Sequence, residues 1–464
     1  MNTIISNKIY IKNASLDLFR YCESELVVTN PKWDTLMRLG KQEQISRYHI
    51  EPRMALYVQN GLDLVLPFGC LYAIWDMIKN SPYQLQLNQS NFIKNREETI
   101  TQPLYDYQEE AVQKMVQAKG GILIGGCGSG KTNCGIEIIH RIGKNALWLT
   151  HTKDLLHQTV KRIKFLYPNT QVGTITEGKM DMVNNGITVS TIQTLVDINP
   201  DLYKNNFDTV VTDECHHVAN SPTLSKMFGK VISRIPARYK YGLTASDKRN
   251  DTLTKSMYAT VGCNPQGEFE PTWRIDREDA NTLTAKHEKV ELDTPFNYCM
   301  LNDDGTFNFN NLVDYIAFNE ERNKIICDKV QELTKENRKQ LILCSRVDQC
   351  KLLNEMLQEK GVNSVLLIGK VSNKQRQAIL NQSVDWQVIV ATVSLAKEGL
   401  DVVDLDTLHL VSCLANKSDT VQSVGRIERV KEGKKEPIVY DYVDIKIPYL
   451  VSKWKKRVTW LRRR

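Results

Sequence analysis

The segment Gly120-Gly-Ile-Leu-Ile-Gly-Gly-Cys-Gly-Ser-Gly-Lys-Thr132 decides the fold of the first half of this 464-residue chain. Its glycines, lysine and threonine have the spacing G-x-x-x-x-G-K-[ST]. A short apolar run, Ile122–Ile124, comes before the loop glycines, and isoleucine recurs after them at positions 136, 139 and 142, as on one face of a helix. The predicted order is therefore strand, loop, helix.

This order suits the binding of a polyphosphate. Glycines let backbone N–H groups close around phosphate oxygens, the helix N-terminus adds positive potential, and Lys131 supplies a point charge. Thr132 is then placed to hold Mg²⁺. A glycine-rich turn without a ligand is the alternative, and the flanking strand and helix weigh against it. The predicted nucleotide-binding loop comprises Gly125, Gly126, Cys127, Gly128, Ser129, Gly130, Lys131 and Thr132.

The composition, 41% hydrophobic and 25% charged, is that of an ordinary globular protein, and the length favours about three domains. No apolar run approaches the roughly 20 residues of a membrane span, and the first residues lack a signal-peptide core. We therefore expect no membrane partner and a cytoplasmic location, in the host cell if the gene is viral. The 11 cysteines include no Cys-x-x-Cys pair, which predicts reduced thiols and no structural zinc.

The formal charge of +7 is concentrated at the C-terminus, because residues 453–464 hold seven Lys and Arg and no acid. Trp454 and Trp460 lie among these cations. Such a tail suits phosphate contacts and base stacking, and a terminal helix packed on the body of the protein is the alternative.

Residues 1–100 look like a small α+β accessory domain. Residues 56–59 and 62–66, separated by Asn60-Gly61, have the pattern of a β-hairpin. Further strands are expected at Lys8–Ile11 and Glu25–Val28, and a helix at Leu71–Ile78. A packing or dimerisation module and a duplex-binding domain both fit this stretch.

Strand and helix alternate from residue 102 onward, which is typical of parallel α/β architecture. Residues 101–255 form the first such domain. Residues 256–315 interrupt the alternation and are expected to be an extension and linker. A second α/β domain, without its own phosphate loop, covers residues 316–450, and residues 451–464 form the basic tail.

Val210-Val-Thr-Asp-Glu-Cys-His-His217 places two acids at the carboxyl end of a predicted strand, where open α/β sheets bind ligands. A phosphate-loop NTPase needs one acid for Mg²⁺ and a second for the attacking water. We assign Asp213 to the metal and Glu214 to the water. Cys215 and the two histidines could instead suggest a metal site, but three adjacent side chains at a strand end cannot converge on one ion.

The sequence around these acids, Asp-Glu-Cys-His, resembles the DEAD/DEAH-type box of superfamily 2 helicases, and the resemblance extends over roughly residues 102–443. Tyr107-Gln108 resembles the adenine-recognising glutamine motif, and residues 149–156 resemble motif Ia. Residues 189–195 resemble the family motif that follows motif Ia and contacts the nucleic-acid strand. Gly242–Ser246 is similar to motif III, with Ser246 where close relatives often have Pro. Thr244 and Ser246 would couple ATP hydrolysis to movement.

The second α/β domain continues the resemblance. Residues 342–346 are similar to motif IV, residues 391–392 and 398–401 to motif V, and residues 422–429 to the Q-x-x-G-R-x-x-R of motif VI. The resemblance implies that Asp401 contacts the nucleotide and that Gln422, Arg426 and Arg429 take part in catalysis. If residues 422–429 are helical, the two arginines lie near one face.

Hydroxyl groups near strand ends and helix starts could grip phosphates without reading bases. A helix cap is the alternative role for each of them. The candidates are Thr152, Thr191, Ser345 and Thr392.

These observations predict two tandem RecA-like parallel-sheet domains that bind ATP and Mg²⁺, with a small N-terminal α+β domain. The compact layout and the N-terminal module look similar to bacteriophage DNA helicases, and this resemblance implies an ATPase that moves 3′ to 5′ on single-stranded, forked or branched DNA. A monomer is favoured. The implied role is unwinding or branch migration in replication, recombination or repair. An RNA helicase and a translocating subunit of a restriction-type complex are the alternatives.

Overall fold

The structure is a computed structural model that describes residues 1–89, 98–126, 128–219, 227–246, 251–276, 282–302, 305–369, 371–395, 400, 402–412 and 417–462. Cys127 and Asp401 therefore lie outside the described residues. The chain divides into two compact units, one of residues 1–126 and 130–279, the other of residues 127–129 and 280–464.

The N-terminal part of the first unit is a five-stranded sheet with helices packed against it. Its elements are β1 (Asn2–Ile5), β2 (Lys8–Lys12), α1 (Leu16–Glu25), β3 (Val27–Thr29), α2 (Pro31–Arg38), α3 (Gln42–Arg47), β4 (Arg53–Ala55), β5 (Val58–Asn60), β6 (Asp63–Pro67), α4 (Leu71–Ile78) and β7 (Tyr83–Leu85). The strand order is β5-β6-β2-β1-β7, and β3 and β4 form a separate ribbon. Buried side chains of this part pack with Ala219, Leu253 and Ala259 of the same unit.

Two local predictions for this part need correction. Asn60 pairs with Asp63, so the hairpin turn consists of Gly61 and Leu62 and not of Asn60-Gly61. Gly61, with φ +60°, takes the left-handed conformation that the turn requires. Glu25 ends a helix and does not begin a strand.

The remainder of the first unit is a doubly wound sheet. Its elements are α5 (Asp106–Ala118), β8 (Gly121–Gly125), α6 (Lys131–Ile142), β9 (Ala146–Thr150), α7 (Lys153–Leu166), β10 (Gln171–Thr176), β11 (Lys179–Asp181), β12 (Gly186–Thr191), α8 (Ile192–Asp197), β13 (Thr209–Thr212), α9 (Met227–Ile232), β14 (Tyr239–Thr244), α10 (Thr254–Val261) and β15 (Trp273–Ile275). The strand order is β11-β10-β12-β9-β13-β14-β8-β15, and every pair except β10–β11 is parallel. Strands β8, β9, β12 and β13 are buried along their whole length, as parallel strands covered on both faces are.

The second unit is built on a six-stranded parallel sheet. Its elements are β16 (Lys286–Leu292), α11 (Phe309–Ala317), α12 (Glu320–Thr334), β17 (Gln340–Cys344), α13 (Val347–Glu359), β18 (Ser364–Leu367), α14 (Asn373–Leu380), β19 (Val388–Thr392), β20 (Thr407–Leu410), α15 (Lys417–Gly425), β21 (Ile438–Asp444) and α16 (Pro448–Arg462). The strand order is β16-β21-β20-β17-β19-β18.

The residues between positions 256 and 315 contribute to both sheets. β15 pairs with β8, and β16 pairs with β21 along seven residues. The sequence did not indicate β15 and β16. Each of these strands lies at a sheet edge and is half exposed, so its sequence lacks a continuous apolar run.

The basic C-terminal residues form a helix that packs on the second unit. Arg457 is buried and donates two hydrogen bonds to the buried carboxylate of Asp441, at 2.9 and 2.5 Å. The Lys289 ammonium lies 4.5 Å from the ring centre of Trp454. Lys455, Lys456 and Arg462 remain exposed. At Arg457 the packing alternative is therefore correct.

Two further observations describe the chain as a whole. None of the helices in the described ranges combines the length and the apolar character that crossing a membrane requires. The described cysteines are all free thiols, and of these only Cys299 is exposed.

Candidate active site and nucleic-acid interface

The carboxyl ends of five neighbouring strands of the first sheet bring the predicted motifs together. Thr191 pairs with Thr150, Thr212 pairs with both Leu149 and Gly242, and Thr244 pairs with Ile124. The strands β12, β9, β13, β14 and β8 therefore end at one edge of the sheet. At that edge lie, in the same order, Thr191, Thr152, Asp213 with Glu214, Thr244 and the phosphate loop.

The phosphate loop has the backbone that anion binding requires. Gly128 and Gly130 have φ of +85° and +76°, a region in which other residues are strained. A Cβ atom on Gly130 would lie 2.1 Å from the Gln108 side-chain nitrogen, so the position also needs glycine for space. The Lys131 ammonium donates to the carbonyl oxygens of Gly125 and Gly126, at 2.7 and 3.0 Å. The lysine charge thus lies at the mouth of the loop.

The helix before the loop places Gln108 beside it. The Gln108 amide is buried, its nitrogen donates to the Tyr107 hydroxyl at 3.2 Å, and its oxygen accepts from the Tyr105 N–H at 3.2 Å. The Tyr105 and Tyr107 rings are parallel, with centres 5.7 Å apart. Tyr105, the residue just before α5, was not singled out from the sequence, although an aromatic residue two positions before Tyr107 was a visible signal.

Asp213 and Glu214 follow β13 directly. Burial, together with the adjacent Glu214 carboxylate, raises the pKa of Asp213 to about 7. Burial also acts to raise the pKa of Glu214, but a hydrogen bond from His216 and the positive charges around it outweigh burial and lower that pKa to about 2. Glu214 is therefore a carboxylate at neutral pH. Carboxylate oxygens are the ligands that Mg²⁺ and other hard divalent cations prefer.

The backbone at Glu214 is in the left-handed region, with φ +49° and ψ +47°. Non-glycine residues in this region are strained, and such strain is concentrated at functional sites. The Glu214 N–H donates to the Asp213 carboxylate at 3.0 Å. This turn directs the second carboxylate away from the strand, toward His216, whose Nδ1 lies 3.1 Å from it.

His216 connects the acids to the end of β14. Its Nδ1 lies 3.0 Å from the Thr244 hydroxyl, and that hydroxyl also accepts from the Ser246 N–H at 3.1 Å. The predicted coupling residues Thr244 and Ser246 are thus hydrogen-bonded to each other and to the acid motif. His217 stacks on His151 with ring centres 4.6 Å apart, which adds the segment after β9 to the same group. His151 was not singled out from the sequence.

The hydroxyls proposed as phosphate grips on the first sheet serve as helix caps. Thr152 accepts from the Leu155 N–H at 3.3 Å at the start of α7, and Thr191 accepts from the Thr194 N–H at 3.3 Å at the start of α8. A capped helix start also presents the N–H groups that bind anions. The capping role is observed, and the gripping role remains a prediction.

The second sheet brings Ser345 and Thr392 side by side, because Cys344 pairs with Thr392 at the ends of β17 and β19. The Ser345 N–H donates to the Ser412 hydroxyl at 2.7 Å. Thr392 is buried, and its hydroxyl accepts from Ser394 at 3.4 Å. Both residues stand at the carboxyl edge of their sheet.

The helix considered for residues 422–429 ends before the two arginines of the last motif. Helix α15 contains Gln422 and ends at Gly425. Arg426 follows it and donates to the Leu400 carbonyl at 3.2 Å, whereas Arg429 forms a β-bridge with Thr282. Gly425 is the last residue of this helix. A glycine often marks a helix end, and this signal in the sequence was overlooked.

The phosphate loop, the paired acids and the two parallel sheets define a nucleoside triphosphatase with tandem RecA-like domains. Residues 101–249 match the family model described as "Type III restriction enzyme, res subunit", and residues 321–431 match the "Helicase conserved C-terminal domain". The chain belongs to the superfamily 2 helicases, and it is an ATP-dependent nucleic-acid helicase.

Three relatives show the range of similar proteins. A protein of Acanthamoeba polyphaga mimivirus, provisionally named as an ATP-dependent RNA helicase, is 26% identical over 84% of this chain and 72% of its own. A protein of Escherichia phage T5, provisionally named as a helicase, is 24% identical over 96% of this chain and 90% of its own. The DNA 3′-5′ translocase XPB2 of Sulfurisphaera tokodaii is 24% identical over 73% of this chain and 81% of its own.

Among solved structures, a variant of S. cerevisiae Dbp5 bound to RNA and ADP BeF3 has a TM-score of 0.56 to this chain. The identity is 13%, and the match covers 85% of this chain and 92% of that one. At this identity the likeness concerns the fold alone. It confirms the predicted tandem RecA-like architecture.

Proposed function

We propose that this helicase moves along one strand of DNA, 3′ to 5′, and unwinds or branch-migrates forked and junction DNA in replication, recombination or repair. The observation that carries the proposal is the single sheet edge of the first unit. On that edge the phosphate loop and the acids lie on β8 and β13, and the capped helix starts of Thr152 and Thr191 lie on the neighbouring β9 and β12. ATP chemistry and a phosphate-gripping surface are thus adjacent.

The described side chains divide the ATPase work among them. Lys131 would bind the β- and γ-phosphates, and Glu214 would orient the attacking water and accept its proton. Thr132 and Asp213 would hold Mg²⁺, which supplies charge neutralisation for the phosphates. Gln108 would recognise adenine, and Gln422, Arg426 and Arg429 would stabilise charge on the transferred phosphate. An arginine in that role is worth about 10³ to 10⁵ in rate.

The N-terminal part of the first unit suits contact with a nucleic acid. None of the residues of α2 and α3 is buried, so these helices add little to a core. The Lys32 ammonium and the Arg47 guanidinium lie 5.6 and 5.8 Å from the ring centre of the exposed Tyr48. Cations around an exposed ring suit contacts with a nucleic-acid backbone. The similarity to a DNA 3′-5′ translocase supports DNA as the substrate.

The test is ATP hydrolysis by the purified full chain with Mg²⁺ and a series of matched nucleic acids. The series comprises DNA single strands, duplexes, forks and four-way junctions, each with an RNA counterpart. We expect stimulation by DNA, with forks or junctions giving the largest effect, and strand separation of a fork whose loading strand permits 3′ to 5′ movement. Equal hydrolysis with and without DNA would refute the proposal.

An RNA helicase is the second candidate, because the mimivirus relative carries that name. The same series decides between the two. A clear preference for RNA over DNA of the same sequence and shape, in both stimulation and unwinding, would replace our choice.

A translocating subunit of a restriction-type complex is the third candidate, because the first α/β domain matches the "Type III restriction enzyme, res subunit" model. In that case movement would require a partner protein. Unwinding of a fork by the isolated chain would exclude this candidate, whereas ATP hydrolysis without strand separation would favour it.

A further inference from the structure

An exposed cluster of aromatic side chains lies on the second unit, where the segment between β16 and β17 meets the start of α16. Tyr298 is 82% exposed, and Phe296, Phe307 and Phe309 are 37–42% exposed. Tyr449, at the start of α16, is half-buried beneath them. These five residues are called the aromatic face below. Large exposed apolar patches of this kind mark interaction sites in monomeric proteins.

The rings of the aromatic face contact one another and do not project separately. Phe307 and Tyr449 are nearly parallel, with centres 5.3 Å apart. Phe296 meets Tyr298 at 5.8 Å and Phe307 at 6.4 Å, in both cases edge to face. Phe309 meets Tyr449 at 6.3 Å. The cluster therefore presents a continuous surface of ring faces and edges.

A small separate core holds this surface in place. Met300, Leu312, Ile316, Ile447 and Leu450 are buried together, with Tyr449 packed against them. Two backbone hydrogen bonds link the contributing segments, since the Asn302 N–H donates to the Thr306 carbonyl at 2.8 Å and the Asn308 N–H to the Met300 carbonyl at 2.8 Å. The rings are thus preorganised, which lowers the entropy cost of binding a ligand.

One cation lies against the aromatic face. The Lys453 ammonium lies 5.0 Å from the ring centre of Tyr449. The acids Asp293 and Asp314 are each paired with a cation, Lys446 at 2.8 Å and Arg346 at 2.6 Å. Asp293 and Asp314 are thus each paired, and Lys453 places a cation against the aromatic face.

One of these ion pairs also ties the aromatic face to the carboxyl edge of the second sheet. Arg346 follows Ser345 directly after β17, and it donates to Asp314 on α11. Helix α11 begins at Phe309, a member of the aromatic face. A strand gripped at Ser345 and Thr392 would therefore have the aromatic face within a few nucleotides of its path.

We propose that the aromatic face stacks the bases of single-stranded nucleic acid at this edge of the second sheet. The inference rests on the proposed function and adds to it a base-contacting surface that no sequence motif supplies. Stacking on aromatic rings tolerates any base sequence, because every base has a π-face, and this suits an enzyme that advances along a strand. A surface that docks a protein by apolar burial would accept aliphatic side chains equally well, and the experiment uses this difference.

The test compares Tyr298→Leu with Tyr298→Trp in the full chain. Binding is measured by anisotropy for a single-stranded oligonucleotide and for the same oligonucleotide with abasic sites, and stacking is measured by the quenching of 2-aminopurine. We expect Tyr298→Leu to weaken binding of the strand with bases about 5- to 100-fold, with little change for the abasic strand. Tyr298→Trp should retain both tight binding and 2-aminopurine quenching.

Phe318→Leu is the matched control, because Phe318 is 48% exposed at the end of α11 but lies outside the aromatic face. It should bind both oligonucleotides as the wild type does. Unchanged binding by Tyr298→Leu, or an equal loss for both oligonucleotides, would overturn the stacking role while leaving the proposed function intact. A wild-type protein that neither binds single strands nor responds to them in ATP hydrolysis would overturn both.

Discussion

Lys240 is an ionisable residue near the start of β14, a buried strand of the first sheet. Its side chain is 2% exposed, its ammonium donates to the Ile232 carbonyl at 3.3 Å, and it lies 4.5 Å from the Phe68 ring centre. Burial lowers the pKa of Lys240 from 10.5 to about 7. The unfolded chain therefore binds the proton more tightly than the folded chain between these two values.

The buried Lys240 makes the free energy of unfolding depend on pH. The contribution of Lys240 to the free energy of unfolding falls as the pH drops from about 10.5 to about 7, and is constant below that. We expect Lys240→Met to raise the free energy of unfolding at pH 7, and to lose this advantage toward pH 10. Chemical denaturation at several pH values measures both effects. A difference in the free energy of unfolding between Lys240→Met and the wild type that stayed the same from pH 7 to pH 10 would contradict the assignment.

Glu214 provides a second test at the level of a single residue. Glu214→Gln keeps the size of the side chain but removes the carboxylate that would accept a proton from the attacking water. We expect ATP binding to persist while turnover falls by about 100-fold or more. Binding is measured with a fluorescent ATP analogue and turnover by phosphate release. Normal turnover by this variant would show that the acids are wrongly assigned.

Lys131→Ala should impair ATP binding itself, whereas Glu214→Gln should impair only turnover. Because the ammonium is already placed at the carbonyls of the phosphate loop, its removal should weaken nucleotide binding itself, by about 10-fold or more. If Lys131→Ala bound ATP as tightly as Glu214→Gln, the loop would not be the phosphate site.

Sequence spacing predicted the strand, loop and helix around Lys131 and Thr132 and the strand end that carries Asp213 and Glu214, because short-range patterns fix these features. It could not predict contacts between segments that are distant in sequence. The rings of His151 and His217, which stack, belong to residues 66 positions apart, and Gln108 approaches Gly130 from 22 positions away, so no local pattern encodes either contact.

At the level of elements, helices α5, α6 and α7 are held together by one polar network. Arg141 donates to Glu109 on α5 at 2.7 and 2.6 Å and to Glu137 on its own helix at 2.7 Å. Glu137 is buried and also accepts from the Tyr167 hydroxyl, just after α7. The network joins the helix that carries Gln108 to the helix that begins at Lys131.

We expect Arg141→Met to lower the free energy of unfolding by about 2 kcal/mol, because the buried Glu137 carboxylate would lose a charged partner. Adding Glu137→Gln to this variant should restore part of the loss. Lys79→Met, which removes an exposed pair with Asp76, should cost less than about 1 kcal/mol. Denaturant unfolding measures all three, and equal losses for the buried and the exposed pair would contradict the role of the network.

Element boundaries followed the sequence where burial is continuous and departed from it at edges. The strand predicted before the paired acids is observed as β13, which is buried along its whole length. The edge strands β15 and β16 were missed, and Glu25 was placed in a strand although it ends α1. At such positions a residue touches solvent on one side, so its hydrophobicity carries little information about its pairing.

At the level of the whole molecule, the charge of the C-terminal helix is divided between structure and surface. Arg457 is committed to Asp441, so deleting the helix would leave a buried carboxylate without its partner. Lys455 and Lys456 are exposed on the same helix and can be changed without that cost. They are the better probes of nucleic-acid binding.

We expect Lys455→Ala/Lys456→Ala to weaken DNA binding and to flatten its dependence on salt. Each lost phosphate contact on a single strand should reduce the slope of log K against log salt by about 0.7, because fewer counterions are released. Binding isotherms at several salt concentrations measure the slope. Lys324 on α12 and Lys335 just after its last residue are also exposed. The variant Lys324→Ala/Lys335→Ala is therefore the control. The same slope in the wild type and the C-terminal variant would assign this helix to packing alone.

The distribution of thiols makes the aromatic face easy to observe. Burial raises the pKa of Cys22, Cys134, Cys263 and Cys327 to about 12, so these side chains react slowly with maleimides, whereas Cys299 is exposed beside Tyr298. A dye attached at Cys299 would sit next to the surface proposed to stack bases. Its emission would then report, in real time and on individual molecules, when a strand arrives there and when it leaves.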